Sequence, residues 1–138
     1  MILGIGTDIA QVARIDRALA RFGDRFVRRI LTEPERERFA RTAARTRAGH
    51  LAKRFAAKEA FAKAIGTGIR LPFTWHSVAL GRDARGKPVL EPRGDMAAHL
   101  AAMGVSRAHV TLTDDAGLAL AFVVLEGASP APSMEERP

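Results

Sequence analysis

From His50 to Ile65 the chain is built of Ala, Leu, Phe, Lys, Arg and Glu, with no internal Gly or Pro, and it halts at Gly66. Ala and straight-chain residues lose least conformational freedom in a helix, and a Gly just past the end accepts the left-handed cap. A long central helix is therefore the element around which everything else must pack. Before it, Ile2 to Ile9 is a short apolar, Gly-punctuated run that reads as a buried strand delivering Thr7 and Asp8 at its end. Val12, Ile15, Leu19 and Phe22 then recur at spacings of three and four, a helix with Gly23 as its stop, and the pattern resumes from Arg25 to Ile30. Thr32-Glu33-Pro34-Glu35 is a capping box with Pro in the first turn, opening a helix to about Ala43, and Arg45 to Gly49 is a polar break.

Beyond the Gly66-Thr67-Gly68 loop the character changes. Ser77 to Leu80, Val89 to Glu91, His109 to Asp114 and Leu118 to Leu125 read as strands, with turns at Arg85-Gly86-Lys87-Pro88 and Asp115-Ala116-Gly117. Asp95 to Met103 is a short helix closed by Gly104. The order is that of an α+β protein: a small single domain with an N-terminal strand, several helices and a mainly antiparallel sheet. There is no internal repeat and no regular strand–helix alternation. One domain over residues 1–127 is expected, with residues 128–138 as a disordered tail rich in Pro, Ser and charge.

Composition narrows the function. With 22 Lys and Arg against 15 Asp and Glu, the net charge is +7 and the sequence pI about 11.2, so an anionic substrate or partner is expected. Hydrophobic residues at 47% exclude a largely disordered chain, and no apolar run is long enough to span a bilayer. The apolar start at Met1-Ile2-Leu3 lacks the basic region and cleavage site of a signal peptide, so a cytoplasmic address is expected. Without cysteine, chemistry falls to carboxylates, His, hydroxyls and backbone, and any metal would be a hard, oxygen-ligated one. Nucleic acid is disfavoured as a partner, because the chain has one Trp and no Tyr, and several of its seven Phe sit at core-like positions.

Phe55, Glu59 and Lys63 are spaced by four and share one face of the central helix. Their ordinary reading is a helix ion pair between Glu59 and Lys63 beside a packed aromatic. Asp8, between strand and helix, is by itself most simply a helix cap. If Asp8 and Glu59 converge, however, two carboxylates make a typical Mg²⁺ site, because that ion keeps several waters and completes its octahedron with substrate phosphates. Lys63 would then neutralise the same phosphates. His109, Thr111 and Thr113 share one face of their strand, Val110 and Leu112 the other. Gly66-Thr67-Gly68 is a helix C-cap that could also offer N–H groups to a phosphate. Trp75 and His76 read as structural. Arg14, Arg17 and Arg21 form a cationic stripe, continued by Arg25, Arg28 and Arg29, that repels itself unless an anionic partner relieves it.

Two separated motifs resemble one family. Gly4-Ile5-Gly6-Thr7-Asp8-Ile9, together with Arg54-Phe55-Ala56-Ala57-Lys58-Glu59-Ala60-Phe61-Ala62-Lys63-Ala64-Ile65-Gly66-Thr67-Gly68, is similar to the bacterial holo-[acyl-carrier-protein] synthases, the short 4′-phosphopantetheinyl transferases. The resemblance runs from Met1 to about Glu126, and the larger two-halved transferases are about twice as long. It implies the 4′-phosphopantetheinyl transferase fold. It also implies transfer of the 4′-phosphopantetheine arm from coenzyme A to a serine of apo-acyl carrier protein, releasing adenosine 3′,5′-bisphosphate, in support of fatty acid biosynthesis. Mg²⁺ would be required, and a homotrimer would carry its sites between subunits. By position, Asp8 and Glu59 resemble the metal ligands and Lys63 the residue on the coenzyme A phosphates, with Glu59 or a metal-associated water assisting deprotonation of the serine. Arg54, Gly66, Gly86, Lys87, Pro88, His109 and Thr111 resemble the coenzyme A contacts, the Gly86-Lys87-Pro88 turn and His109 coming from a neighbouring subunit. The acidic carrier protein would meet Arg14, Arg21, Arg25 and Arg28. The competing readings are a small basic nucleic-acid or phosphoprotein-binding module, and a magnesium-dependent nucleotide hydrolase.

Overall fold

The structure is a computed structural model and describes residues 1–129, so most of the expected tail, from residue 130, lies outside the described residues. The elements run β1 (Ile2–Gln11), α1 (Val12–Phe22), α2 (Asp24–Ile30), α3 (Glu33–Ala40), a 3₁₀ turn (Ala44–Thr46), α4 (Arg47–Ala64), β2 (Val78–Arg82), β3 (Pro88–Pro92), α5 (Met96–Ala102), β4 (Val105–Asp115) and β5 (Leu118–Gly127). The strands form an antiparallel three-stranded sheet in the order β1-β5-β4 and a separate β2-β3 hairpin.

Alternation sorts the large sheet into two faces. Ala119, Ala121, Val123 and Leu125 of β5 are fully buried beneath α4, and Val110 of β4 joins them. Gly4, Gly6, Asp8 and Ala10 line the same side of β1. A Cβ on Gly6 would collide with the Ala60 carbonyl oxygen, and one on Gly4 with that of Ala64. The missing side chains are what let the α4 backbone lie directly on β1, in a row whose one charged member is Asp8. The sequence signal "Gly-punctuated strand" is thus a close-packing requirement. Across the opposite face lie Ile5, Thr7 and Ile9, then Leu120, Phe122 and Val124, then His109, Thr111 and Thr113. Among the described residues no element covers this side, and Ile5 is 61% exposed.

Several expected boundaries move. The central helix begins at Arg47, not His50, absorbing Gly49 into its first turns, and the helix from Glu33 ends at Ala40 rather than near Ala43. β1 runs on to Gln11, held by pairing with β5, so Asp8 lies inside a strand opposite Ala121. It caps no helix: α1 starts four residues later, at Val12. β4 and β5 meet in a two-residue turn in which Ala116 and Gly117 have φ of 51° and 75°, the twist that tight hairpins prefer. The capping box forms as read, with the Thr32 N–H donating to Glu35 Oε1 at 2.9 Å.

Candidate active site

Asp8 and Glu59 converge. β1 presents Asp8 on its α4-facing side and α4 presents Glu59 toward it, and both line one cleft with Arg14, Ile15, Phe26 and Phe55. The Asp8 side chain is 11% exposed, and its Oδ2 is buried without a hydrogen-bond partner. Burial first, then the Asp8 charge and proton sharing between the two carboxyls, push Glu59 up to about 7; Lys63 and Arg14 pull the other way. Two partly buried carboxylates with one orphaned oxygen are costly for a protein to hold unless a cation neutralises them. Among the described residues no cluster of three or more His, Asp or Glu surrounds a common point, so an ion here would draw its carboxylate ligands from these two. That donor set suits Mg²⁺, which ordinarily takes only one or two carboxylates from the protein.

Lys63 departs from its simplest reading. It makes no ion pair with Glu59 one turn earlier. Its ammonium instead rounds the edge of β1, donating to the Thr7 carbonyl at 3.0 Å and lying 3.3 Å from Asp8 Oδ1, with the side chain 55% exposed. A half-exposed cation, held by the Thr7 carbonyl and the Asp8 carboxylate, therefore stands beside the carboxylate cleft.

The remaining named residues fall into separate places. Arg54 is buried, donates to the His50 carbonyl at 3.1 Å, and is brought down to about 10 chiefly by burial, so it stays charged at neutral pH. It lines a small cationic cleft of about 170 Å³ with Lys53, Arg82, Pro88 and Asp114. Gly86 and Lys87 are exposed in the β2–β3 turn, where the Lys87 N–H donates to Asp83. The N–H groups of Gly66 and Gly68 are spent on the α4 carbonyls of Lys63 and Ala62, so this loop is a helix cap in the first place. His109 and Thr111 project from the uncovered sheet face, and His109 Nε2 meets Glu126 Oε2 at 2.8 Å. Within one chain they do not join Asp8 and Glu59. Arg14 sits in the carboxylate cleft itself, whereas Arg21, Arg25 and Arg28 lie on the exposed outer side of α1 and α2, Arg28 paired with Asp24.

Sequence reasoning passed over two features. One is a groove of about 410 Å³ beside the cleft, walled by Phe22, Phe26, Phe55 and Trp75 and rimmed by Arg25 and Arg29. Trp75, read as merely structural, stacks on Phe55 with ring centroids 5.0 Å apart. The other is a buried pair, Glu35 and Lys58. The spacing held a hint of it, since Lys58 lies four residues from Arg54 and from Ala62 on the inward side of α4, where a lysine needs a partner.

Residues 4–123 of this α+β chain match the model of the 4′-phosphopantetheinyl transferase superfamily. The chain belongs to that superfamily. Within it the similarity is to the short enzymes. A holo-[acyl-carrier-protein] synthase of Thiobacillus denitrificans is 50% identical over 91% of this chain and 95% of its own length. One from Aromatoleum aromaticum is 52% identical over 91% and 98%. The crystal structure of the synthase from Neisseria meningitidis superposes with a TM-score of 0.86 at 44% identity, covering 91% of this chain and 99% of that one. The synthase from Bacillus anthracis in complex with CoA (3′,5′-ADP) gives 0.78 at 36% identity, covering 93% and 99%.

Proposed function

We propose that the chain transfers the 4′-phosphopantetheine group of coenzyme A to a serine hydroxyl of apo-acyl carrier protein, giving holo-acyl carrier protein and adenosine 3′,5′-bisphosphate in support of fatty acid biosynthesis. The observation that carries this reading is the convergence of Asp8 and Glu59, from elements far apart in sequence, in one cleft with Lys63 at its rim. Asp8 and Glu59 would hold Mg²⁺, which when bound supplies positive charge to the diphosphate of coenzyme A. Lys63 exchanges its contacts with Thr7 and Asp8 for the same phosphates and stabilises charge on the leaving group. Glu59, or a metal-associated water, would take the serine proton as the serine oxygen bonds to the phosphorus nearer the pantetheine and the bond to adenosine 3′,5′-bisphosphate breaks. Arg54 with Pro88, and the Gly86-Lys87 turn, supply cationic and backbone contacts to the nucleotide end.

The same reading makes the protein a cytoplasmic homotrimer with sites between subunits, its catalytic domain being residues 1–127. The uncovered face bearing Ile5, Ile9 and Phe122 favours a second copy as its cover. His109 and Thr111 lie on β4, two strands across the sheet from β1 and on the face turned away from Asp8 and Glu59. A neighbouring chain would close that gap. The acidic carrier protein fits the cationic outer side of α1 and α2.

Intact-mass analysis of apo-acyl carrier protein after incubation with this protein, coenzyme A and Mg²⁺ tests the reading. One phosphopantetheine is added only in the complete mixture, and not with chelator or with a carrier lacking the acceptor serine. A folded protein that adds nothing to any of several carriers overturns it. Asp8→Ala and Glu59→Ala each abolish the addition while leaving the circular dichroism spectrum unchanged, and near-normal turnover removes that residue from the site.

A further inference from the structure

Lys58 precedes Glu59 on α4 and points the other way, into the core, where its side chain is 1% exposed. Its ammonium spends all three donors: on Glu35 Oε1 at 2.6 Å, on the Ile30 carbonyl at 2.7 Å and on the Trp75 carbonyl at 2.8 Å. Glu35 is equally occupied, with Oε1 also accepting from the Thr32 N–H and Oε2 accepting from the Leu80 N–H at 3.1 Å. Burying two charges is expensive, and apolar side chains of similar volume commonly fill such a space at no loss of stability. A fully satisfied buried pair fixes one geometry, and the partners here say which geometry that is. Ile30 is the last residue of α2, whose final carbonyls have no partner within the helix. Trp75 is the aromatic stacked on Phe55. The two carbonyls that Lys58 grips thus belong to the two walls of the groove between Phe26 and Trp75, and that groove shares Ala18, Phe26 and Phe55 with the cleft of Asp8 and Glu59.

We propose that Lys58 and Glu35 are positioning residues that hold α2 and the Trp75 segment at a fixed spacing, and so set the surface that seats the carrier protein against the reaction centre. Adjacent residues of one helix turn divide the tasks: Glu59 faces the chemistry, and Lys58 anchors the walls beside it. The proposal rests on reading this groove as part of the carrier-protein face.

The single variant Lys58→Met leaves the Glu35 carboxylate buried without its counter-ion and can fail to fold. The double variant Glu35→Gln with Lys58→Met removes both charges at similar volume, keeps a side-chain acceptor for one of the Thr32 and Leu80 N–H groups, and deletes the grip on Ile30 and Trp75. With the full chain, two readouts follow. Acrylamide quenching of Trp75, the only tryptophan, rises in the double variant with no carrier present. In steady-state transfer, KM for apo-carrier protein rises and kcat falls, each by about tenfold, while KM for coenzyme A stays within about twofold of wild type. A general loosening would raise both KM values together, and that result overturns the proposal. Unchanged quenching with unchanged kinetics overturns the clamp itself. Raised quenching with an unchanged carrier KM leaves the clamp standing and overturns the assignment of this groove to the carrier protein.

Discussion

Gly6→Ala is the substitution that the packing of α4 on β1 makes most informative. Gly6 has an ordinary extended backbone that alanine adopts without strain, so the whole effect of the added methyl is steric. That methyl would overlap the Ala60 carbonyl oxygen and sit 2.8 Å from the Ala64 amide nitrogen. Both are backbone atoms in a rigid helix, and neither can turn aside as a long side chain would. Strand and helix must therefore separate by more than about an ångström to restore ordinary contact, and overpacking of this kind costs about 1–3 kcal/mol. For a domain of this size that is a fall in Tm of about 5–12 °C. Asp8 is two residues along the same strand face, so the displacement also carries it away from Glu59, and misplacement of this order costs about a hundredfold in rate. Thermal unfolding, with transfer rates measured on the folded protein well below Tm, reads both effects. Gly49→Ala is the control, since its added methyl meets nothing within 4 Å inside α4 and should raise stability by about 0.5–1 kcal/mol. Wild-type Tm and turnover in Gly6→Ala would refute the claim that glycine at this position sets the distance between the two carboxylates.

Without divalent cation, Glu59 in the folded protein keeps its proton to about pH 7, whereas the unfolded chain releases it near 4.5. The folded state then binds more protons over that interval, so stability falls as pH rises from about 4.5 to 7. Urea denaturation with chelator across pH 5–8 should show this slope, and Glu59→Gln or added Mg²⁺ should flatten it. Arg21→Glu, on the outer side of α1, should raise KM for the acidic carrier by about tenfold at low salt and less at high salt, with coenzyme A binding unchanged; equal losses for both would refute the assignment. Ile5→Ser on the exposed sheet face should convert the proposed trimer to monomer in sedimentation analysis and reduce transfer with it, and an unchanged mass would show that this face is not the contact.

The residue pattern alone determined the α+β class, the run of elements and the inner and outer faces of each strand, because these depend on local periodicity. Val110 buried opposite exposed His109 and Thr111, and the capping box at Thr32 and Glu35, follow from spacing over a few residues. The two motifs around Asp8 and Glu59 likewise carried the family resemblance, since both lie in continuous stretches of chain. What spacing cannot express is which distant segments touch. Helical periodicity put Lys63 beside Glu59, but the close approach of β1 brought the Thr7 carbonyl and Asp8 within its reach and drew it there. Asp8 read as a cap because the extension of β1 depends on pairing with β5, more than a hundred residues away. For Lys58 the sequence says only that it lies on the inward side of a helix; α2, α3 and the Trp75 segment closing over it give its ammonium three oxygens. Local propensity chose the elements, and long-range packing chose the partners of each charge, because a buried charge settles wherever its desolvation is offset.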